Sequence, residues 1–256
     1  MNTTTTKETE EIINNINANL TIIRNLCTKH HLFISGSVAT GKTTIFYKLK
    51  NKLCSEDNVY FINEYIDYDS EGEIFLRNLF ADRISNFEFQ HYIIDCYEKQ
   101  LKSEEYNSAD LIIWERHPFD ALTVFCSNDN SLNIEEKYNI NQRLTTLCAQ
   151  YEIPLISDEN TSLSSLDTSR ISLTTAHEVI LNSYIYPTLG GFIEYNLYLF
   201  FYCSNEFDQI KRINKRGRIS EITKYKRVQD IIPLNTLYSN MYLSVRRKKT
   251  RNKLIK

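Results

Sequence analysis

The amino-acid sequence predicts an α/β fold, in which a parallel sheet carries helices on both of its faces. Short apolar runs, too hydrophobic for an exposed sheet, alternate with stretches of helical spacing, and this alternation is typical of parallel sheets. Four strands are predicted, and their apolar runs are Leu32–Ile34, Val59–Asn63, Leu111–Trp114 and Leu197–Tyr202. Ligands of such folds collect beyond the carboxyl ends of the strands, so the residues that follow each strand are the candidate functional residues.

Apolar residues at helical spacing predict the helices. The residues from Ile12 to Leu26 predict an amphipathic helix that leads into the first strand. Thr44–Leu53 predicts a helix directly after that strand, and Phe87–Lys102 predicts another between the second and third strands.

The chain divides into three parts. Residues 1–30 are expected to form a tail and a helix, residues 31–245 a single domain, and residues 246–256 a basic tail. Residues 153–175 are rich in Ser and Thr and lack periodicity, which predicts an inserted surface loop within the domain.

Composition excludes several classes of protein. A chain of 256 residues accommodates one α/β domain with a full core. The formal charge of −2 gives no reason to expect a specific nucleic-acid or membrane partner, and the basic tail lacks interleaved aromatic residues. The six cysteines form no C-x-x-C pair and the amino terminus has no signal-peptide pattern. These features predict a soluble protein of a reducing intracellular compartment, the cytoplasm.

A phosphate-binding pattern, Gly-x-x-x-x-Gly-Lys-Thr, follows the first strand and precedes a predicted helix. Its residues are Gly36, Ser37, Val38, Ala39, Thr40, Gly41, Lys42 and Thr43, with Thr44 next. The free N–H groups of the helix favour an anion, Lys42 would reach the outer phosphates and Thr43 would bind Mg²⁺. An accidental glycine loop is the alternative, but the strand and helix on either side favour a nucleoside triphosphate site, with ATP and Mg²⁺ as ligands.

Charged residues follow the second and third strands. Glu64 lies at the end of the second strand, where a carboxylate suits a general base that takes a proton from a hydroxyl. Glu115 and Arg116 end the third strand, where Glu115 could hold Mg²⁺ and Arg116 a phosphate or the attacking hydroxyl. A solvated glutamate and a structural ion pair are the alternatives, and His117 is expected to pack rather than react.

A basic cluster follows the strand at residues 197–202. Gly217 interrupts the predicted helix between Arg216 and Arg218, which leaves both arginines on a turn that can close over phosphates. Phosphoryl transfer needs positive charge at the migrating group, so the cluster is interpreted as a lid, with a solvated helix face as the alternative.

These clusters, in this order, resemble the deoxynucleoside kinase family, most closely the herpesvirus-type thymidine kinases. Glu115-Arg116-His117-Pro118 resembles the herpesvirus Asp-Arg-His-Pro motif, and residues 212–221 resemble the viral lid. The resemblance implies a P-loop kinase fold with a five-stranded parallel sheet, a homodimer, and transfer of the ATP γ-phosphate to a deoxynucleoside 5′-hydroxyl. It is compatible with a virus-encoded protein that acts in a host cell.

The resemblance also assigns roles to single residues. It implies that Arg212, Arg216 and Arg218 face phosphates and that Glu221 faces the sugar 3′-hydroxyl. Phe89-Gln90 resembles the Phe-Gln pair of cellular members, whose glutamine pairs with the base edge; Tyr97, Ala121 and Phe125 also fall where the family places residues near the base. Core packing is the alternative for Gln90, Tyr97, Ala121 and Phe125.

The chain departs from the family in ways that bear on its substrate. Phe80 stands in place of a sugar-binding tyrosine, and the basic tail stands where the apolar fifth strand is normally found. We therefore predict an ATP- and Mg²⁺-dependent deoxynucleoside 5′-kinase with thymidine as leading substrate and deoxycytidine as a further one. A thymidylate kinase, a non-catalytic nucleotide-binding relative and a P-loop motor are the alternatives. The first would need an acidic-arginine motif after the second strand and the third a strand that ends in Asp-Asp or Asp-Glu, and the sequence has neither. The second would have lost a catalytic residue, yet each expected charged position is occupied.

Overall fold

The computed structural model describes residues 29–55, 58–127, 129–156, 161–169 and 196–254. The helix predicted before the first strand lies outside these residues. No helix in the described ranges is both long enough and apolar enough to cross a membrane.

Five parallel strands form one sheet, in the order β2-β3-β1-β5-β4. Their bounds are β1 (His30–Gly36), β2 (Val59–Ile62), β3 (Leu111–Glu115), β4 (Thr161–Asp167) and β5 (Asn196–Tyr202). Because all strands are parallel, their carboxyl ends lie at one edge of the sheet, as the predicted fold class requires.

Helices occupy the connections between these strands and the carboxyl-terminal part. Within the described residues they are α1 (Lys42–Lys52), α2 (Tyr65–Tyr68), α3 (Gly72–Phe80), α4 (Asn86–Leu101), α5 (Glu104–Ser108), α6 (Ile134–Gln150), α7 (Glu206–Arg216), α8 (Ile219–Lys224) and α9 (Val228–Leu254). A π-helical turn covers Ala121–Cys126. The helices predicted from Thr44 and from Phe87 agree with α1 and α4 to within two residues at each end.

Both faces of the sheet are covered by apolar side chains. Leu32 and Ile34 of β1 pack on one face against α1, while Phe33 packs on the other face in a larger cluster that includes residues of α4 and α6. Successive side chains of a strand point to opposite faces, so burial of all three requires helices on both sides, which explains why the central strands are continuous apolar runs.

The prediction of a loop over residues 153–175 is wrong for its central part. Residues Thr161–Asp167 form β4, which pairs in parallel with β5 at the edge of the sheet. The sequence TSLSSLD has few apolar side chains because an edge strand is held mainly by backbone hydrogen bonds to one neighbour. The strand that completes the five-stranded sheet is therefore β4, which precedes β5 in the chain. The basic tail, where the family normally has an apolar strand, is instead helical as far as Leu254.

Candidate active site

The phosphate-binding loop leaves β1 through a glycine that no other residue could replace. Gly36 has φ 135°, and a Cβ built on it would lie 1.9 Å from the carbonyl oxygen of Phe201 in the neighbouring strand. The loop ends at Gly41, which has φ 97° and precedes α1. These left-handed conformations favour glycine. No side chain caps the start of α1, so its first N–H groups are available to an anion.

Lys42 is buried at the start of α1. Its Nζ donates to the Ser37 carbonyl oxygen at 2.7 Å, so the ammonium group lies over the loop. Burial, with the Arg116 cation nearby, lowers the pKa of Lys42 below its usual range. A bound polyphosphate would favour the charged form, so the position suits a lysine whose charge is needed when phosphate is present.

Glu64 and Arg116 meet at the carboxyl edge of the sheet, although 52 residues separate them. Arg116 Nε donates to Glu64 Oε1 at 2.5 Å, and its Nη1 donates to the Gly36 carbonyl oxygen at 2.9 Å. Arg116 has φ 77°, an unfavourable conformation for arginine that is typical of functional positions. Burial alone would raise the pKa of Glu64, but Arg116 and Lys42 outweigh it and hold that pKa well below its usual range.

Glu115 lies beside this pair and is fully buried. The Thr43 hydroxyl donates to Glu115 Oε1 at 2.5 Å, and Oε2 has no hydrogen-bond partner among the described residues. Burial, together with the neighbouring Glu64 carboxylate, raises the pKa of Glu115. One carboxylate oxygen from each of Glu64, Asp67 and Glu115 lies within 4.8 Å of the others. Oxygen ligands of this kind suit Mg²⁺, and a divalent cation would relieve the repulsion between the carboxylates.

The lid arginines are held by acidic residues at the same edge. Arg216 donates to Glu221 at 3.1 Å, and Arg218 donates to Asp67 at 2.6 Å. Gly217 between them has φ 80° and open space around it, as the predicted turn requires. Arg212 points elsewhere, because its Nη2 donates to the carbonyl oxygen of Thr168, after β4, at 2.9 Å.

A cavity of about 790 Å³ opens beside these groups. The predicted site residues that line it are Val38, Lys42, Glu64, Gln90, Tyr97, Arg116, Ala121, Phe125, Arg216, Arg218 and Glu221. The predicted residues that do not line it are Gly36, Ser37, Ala39, Thr40, Gly41, Thr43, Thr44, Glu115 and Arg212. The cavity therefore joins the groups predicted for base recognition to the lid and to the Glu64–Arg116 pair. Its size suits a small organic ligand.

Sequence reasoning missed several residues that shape this site. Asp67 lies one helical turn after Glu64, a spacing that could have suggested a second carboxylate on the same side. Gln209 donates to the carbonyl oxygen of Val38 at 2.7 Å, and Tyr238 of α9 receives a hydrogen bond from Arg116. No local pattern marks Gln209 or Tyr238, because their contacts depend on how α7 and α9 pack.

His117 is buried and has both ring nitrogens hydrogen-bonded. Nε2 lies 2.9 Å from the carbonyl oxygen of Pro154, and Nδ1 accepts from the Phe119 N–H at 3.0 Å. This arrangement fixes a neutral imidazole with its proton on Nε2. His117 thus has the packing environment expected of a structural residue.

Part of the chain matches a known protein family. Residues 32–154 match the family model of the deoxynucleoside kinases, and a search of curated proteins gave no match. Among solved structures, the chain is similar to deoxyadenosine kinase from M. mycoides with bound dATP, with 19% identity, 83% of each chain covered and a TM-score of 0.45.

Proposed function

We propose that the chain, whose residues 32–154 match the family model of the deoxynucleoside kinases, transfers the γ-phosphate of ATP to the 5′-hydroxyl of thymidine. The choice of base rests on the position of Gln90. This residue is fully buried and lines the cavity, and its Oε1 has no hydrogen-bond partner among the described residues. An amide offers both an acceptor and donors, which match the N3 and O4 positions of thymine.

The surroundings of Gln90 support a pyrimidine. Ala121 lines the same cavity, and its small side chain leaves room for the 5-methyl group of thymine. Phe125 also lines the cavity and can stack on the base. Deoxycytidine, which has the same ring without the methyl group, is the nearest competing substrate.

The reacting groups divide the work of the transfer. Lys42 and the loop backbone would hold the donor phosphates, while Arg216 and Arg218 exchange their carboxylate partners for the migrating phosphoryl group. Glu64 would accept the 5′-hydroxyl proton as Arg116 orients that oxygen. Because Arg116 and Lys42 keep Glu64 ionised, the carboxylate is ready to accept that proton.

Thr43 and Glu115 are the residues that we propose hold Mg²⁺, with Asp67 as a further ligand. The unpartnered Glu115 Oε2 and the three closely spaced carboxylates support this. When bound, the metal would neutralise charge on the phosphates. We also propose that the protein is a homodimer and acts in the cytoplasm.

The test is an assay of the purified protein with ATP, Mg²⁺ and each of the four deoxynucleosides, with detection of the 5′-monophosphate. We expect the highest kcat/KM for thymidine, followed by deoxycytidine. A preference for purines would overturn the choice of base, and absence of transfer with all four would overturn the activity. Thymidine monophosphate as a further acceptor tests the alternative of a thymidylate kinase.

A further inference from the structure

A chain of side-chain hydrogen bonds fixes the orientation of the Gln90 amide. Gln90 Nε2 donates to Asn86 Oδ1 at 2.8 Å, one helical turn earlier in α4. Asn86 Nδ2 in turn donates to Asp129 Oδ2 at 2.6 Å and to the Phe125 carbonyl oxygen at 3.1 Å. All of these groups lie beside or within the cavity.

Asp129 determines which group donates and which accepts in each of these hydrogen bonds. Hydrogen bonds from Ser131 hold Asp129 Oδ1. Burial alone would raise the pKa of Asp129, but the bonds from Ser131 and Asn86 outweigh it and lower that pKa. The carboxylate is therefore ionised at neutral pH and can only accept, as can the Phe125 carbonyl. Asn86 must turn its NH₂ group toward them and its oxygen toward Gln90.

Gln90 is thereby left with one arrangement. Its NH₂ group must face Asn86, so its Oε1 and one amide hydrogen remain for a ligand. A half-turn of the amide would bring the Gln90 and Asn86 oxygens together, two acceptors without a hydrogen between them in a buried place. Gln90 Oε1 is indeed buried and without a partner among the described residues.

We propose that Asn86, held by Asp129, is a positioning residue that fixes the order of acceptor and donor on Gln90 and so makes the enzyme distinguish 4-keto from 4-amino pyrimidines. A 4-keto pyrimidine offers a donor at N3 and an acceptor at O4, and a 4-amino pyrimidine offers the reverse order. A glutamine that could turn freely would accept both in one pose, whereas a fixed one matches only one of them. This proposal rests on the proposed function, in which Gln90 meets the base edge.

The test compares deoxyuridine with deoxycytidine, which differ at position 4 and at the N3 proton and lack the methyl group that Ala121 would meet. We expect the wild type to prefer deoxyuridine in kcat/KM by at least about tenfold, because the wrong base leaves buried polar groups unpaired. Asn86→Ala removes the contact with Gln90 altogether and should bring the ratio of the two kcat/KM values at least about fivefold closer to one. Asp129→Asn replaces one of the two acceptors of the Asn86 NH₂ group by an amide, while the Phe125 carbonyl oxygen still accepts from that group. Its ratio should therefore change less than that of Asn86→Ala.

Damage to folding would not imitate this result, because it would lower both activities and leave their ratio unchanged. Asp95→Asn is the matched control, since Asp95 lies on the same helix, is exposed, and pairs with Arg143 outside the cavity. Its ratio should equal that of the wild type. If the protein phosphorylates only purines, deoxyinosine and deoxyadenosine give the same keto-to-amino comparison.

The outcomes separate the two proposals. A wild type that prefers deoxycytidine, with a preference that Asn86→Ala erases, keeps the role of Asn86 and refutes thymidine as the leading substrate. A wild type that prefers deoxyuridine, with a ratio that Asn86→Ala retains, refutes the role of Asn86 and keeps thymidine. A wild type that uses both nucleosides equally also refutes the role of Asn86.

Discussion

The hydroxyl of Tyr238 lies against the guanidinium group of Arg116, across 122 residues of the chain. Arg116 Nη1 donates to this hydroxyl, and the guanidinium also lies 5.6 Å from the centre of the tyrosine ring. Tyr238 is fully buried in α9. The carboxyl-terminal helix therefore supports the residue that ends β3 and that pairs with Glu64.

Tyr238→Phe should lower kcat by about tenfold, since a hydrogen bond to a charged group is removed while the ring stays in place. KM for ATP should change little. The control is Tyr242→Phe, one helical turn on, where the ring stacks on Phe200. Equal losses in both variants would show that the effect is general to α9 and not transmitted through Arg116. Steady-state kinetics of the two variants decide this.

Lys42→Ala should abolish transfer, because the charge is needed at the β- and γ-phosphates as the bond to the leaving group weakens. Lys52→Ala, an exposed change at the end of the same helix, should retain wild-type activity. The measurement is kcat with saturating ATP. More than about a tenth of the wild-type kcat in Lys42→Ala would contradict the assigned role, since one well-placed charged group contributes several kcal/mol.

Glu64→Gln keeps the size and polarity of the side chain but cannot accept a proton. We expect kcat to fall by a factor on the order of 10²–10⁴ with little change in nucleoside affinity. Glu71→Gln, at an exposed position seven residues on, serves as the control. A loss confined to KM would assign Glu64 to binding alone.

Ala121→Asp should shift the choice between pyrimidines. The carboxylate would crowd the methyl group of thymine and could accept from the exocyclic amine of cytosine. Measured kcat/KM should fall more for thymidine than for deoxycytidine. An unchanged ratio of the two would mean that Ala121 does not face the base.

His117 should make the folded protein sensitive to acid. Burial lowers the pKa of His117 to about 4, whereas an unfolded histidine has a pKa of about 6.5. The unfolded state therefore binds more protons between these values, and this contribution to the free energy of unfolding is complete above about pH 6.5 and lost as the pH falls toward 4. The difference corresponds to about 3 kcal/mol.

His117→Asn removes the titrating group and retains an acceptor near the Phe119 N–H. Urea unfolding at several values between pH 4.5 and pH 7 should show a smaller loss of stability for the variant than for the wild type. Parallel curves for the two proteins would indicate that His117 does not change protonation on unfolding.

The central part of the fold could be predicted from sequence because its physical causes are local. The strands β1, β2, β3 and β5 are buried on both sides and therefore appear as apolar runs. Parallel strands bring their carboxyl ends together, which is why Glu64 and Arg116 could be expected at one place before any distance was known.

Other features could not be predicted because they depend on packing between distant segments. β4 is polar and forms only through its pairing with β5. The direction in which Arg212 points depends on the position of Thr168 beside α7. The spacing of residues along the sequence does not indicate that position. The orientation of Gln90 depends on Asp129, which is remote from it in sequence.

Hydrogen bonds hold α7 against the phosphate loop on one side and the end of the edge strand on the other. Gln209 fastens its first turn to Val38 of the phosphate loop, and Arg212 fastens its middle to Thr168 beyond the edge strand. Beyond Arg216, the chain passes through Gly217, where an added Cβ atom would have no other atom within 4 Å. We expect α7 to stay in place when ADP leaves and ATP enters, so that only the segment after Gly217 moves, once Arg218 and Ser220 separate from Asp67 and Glu73.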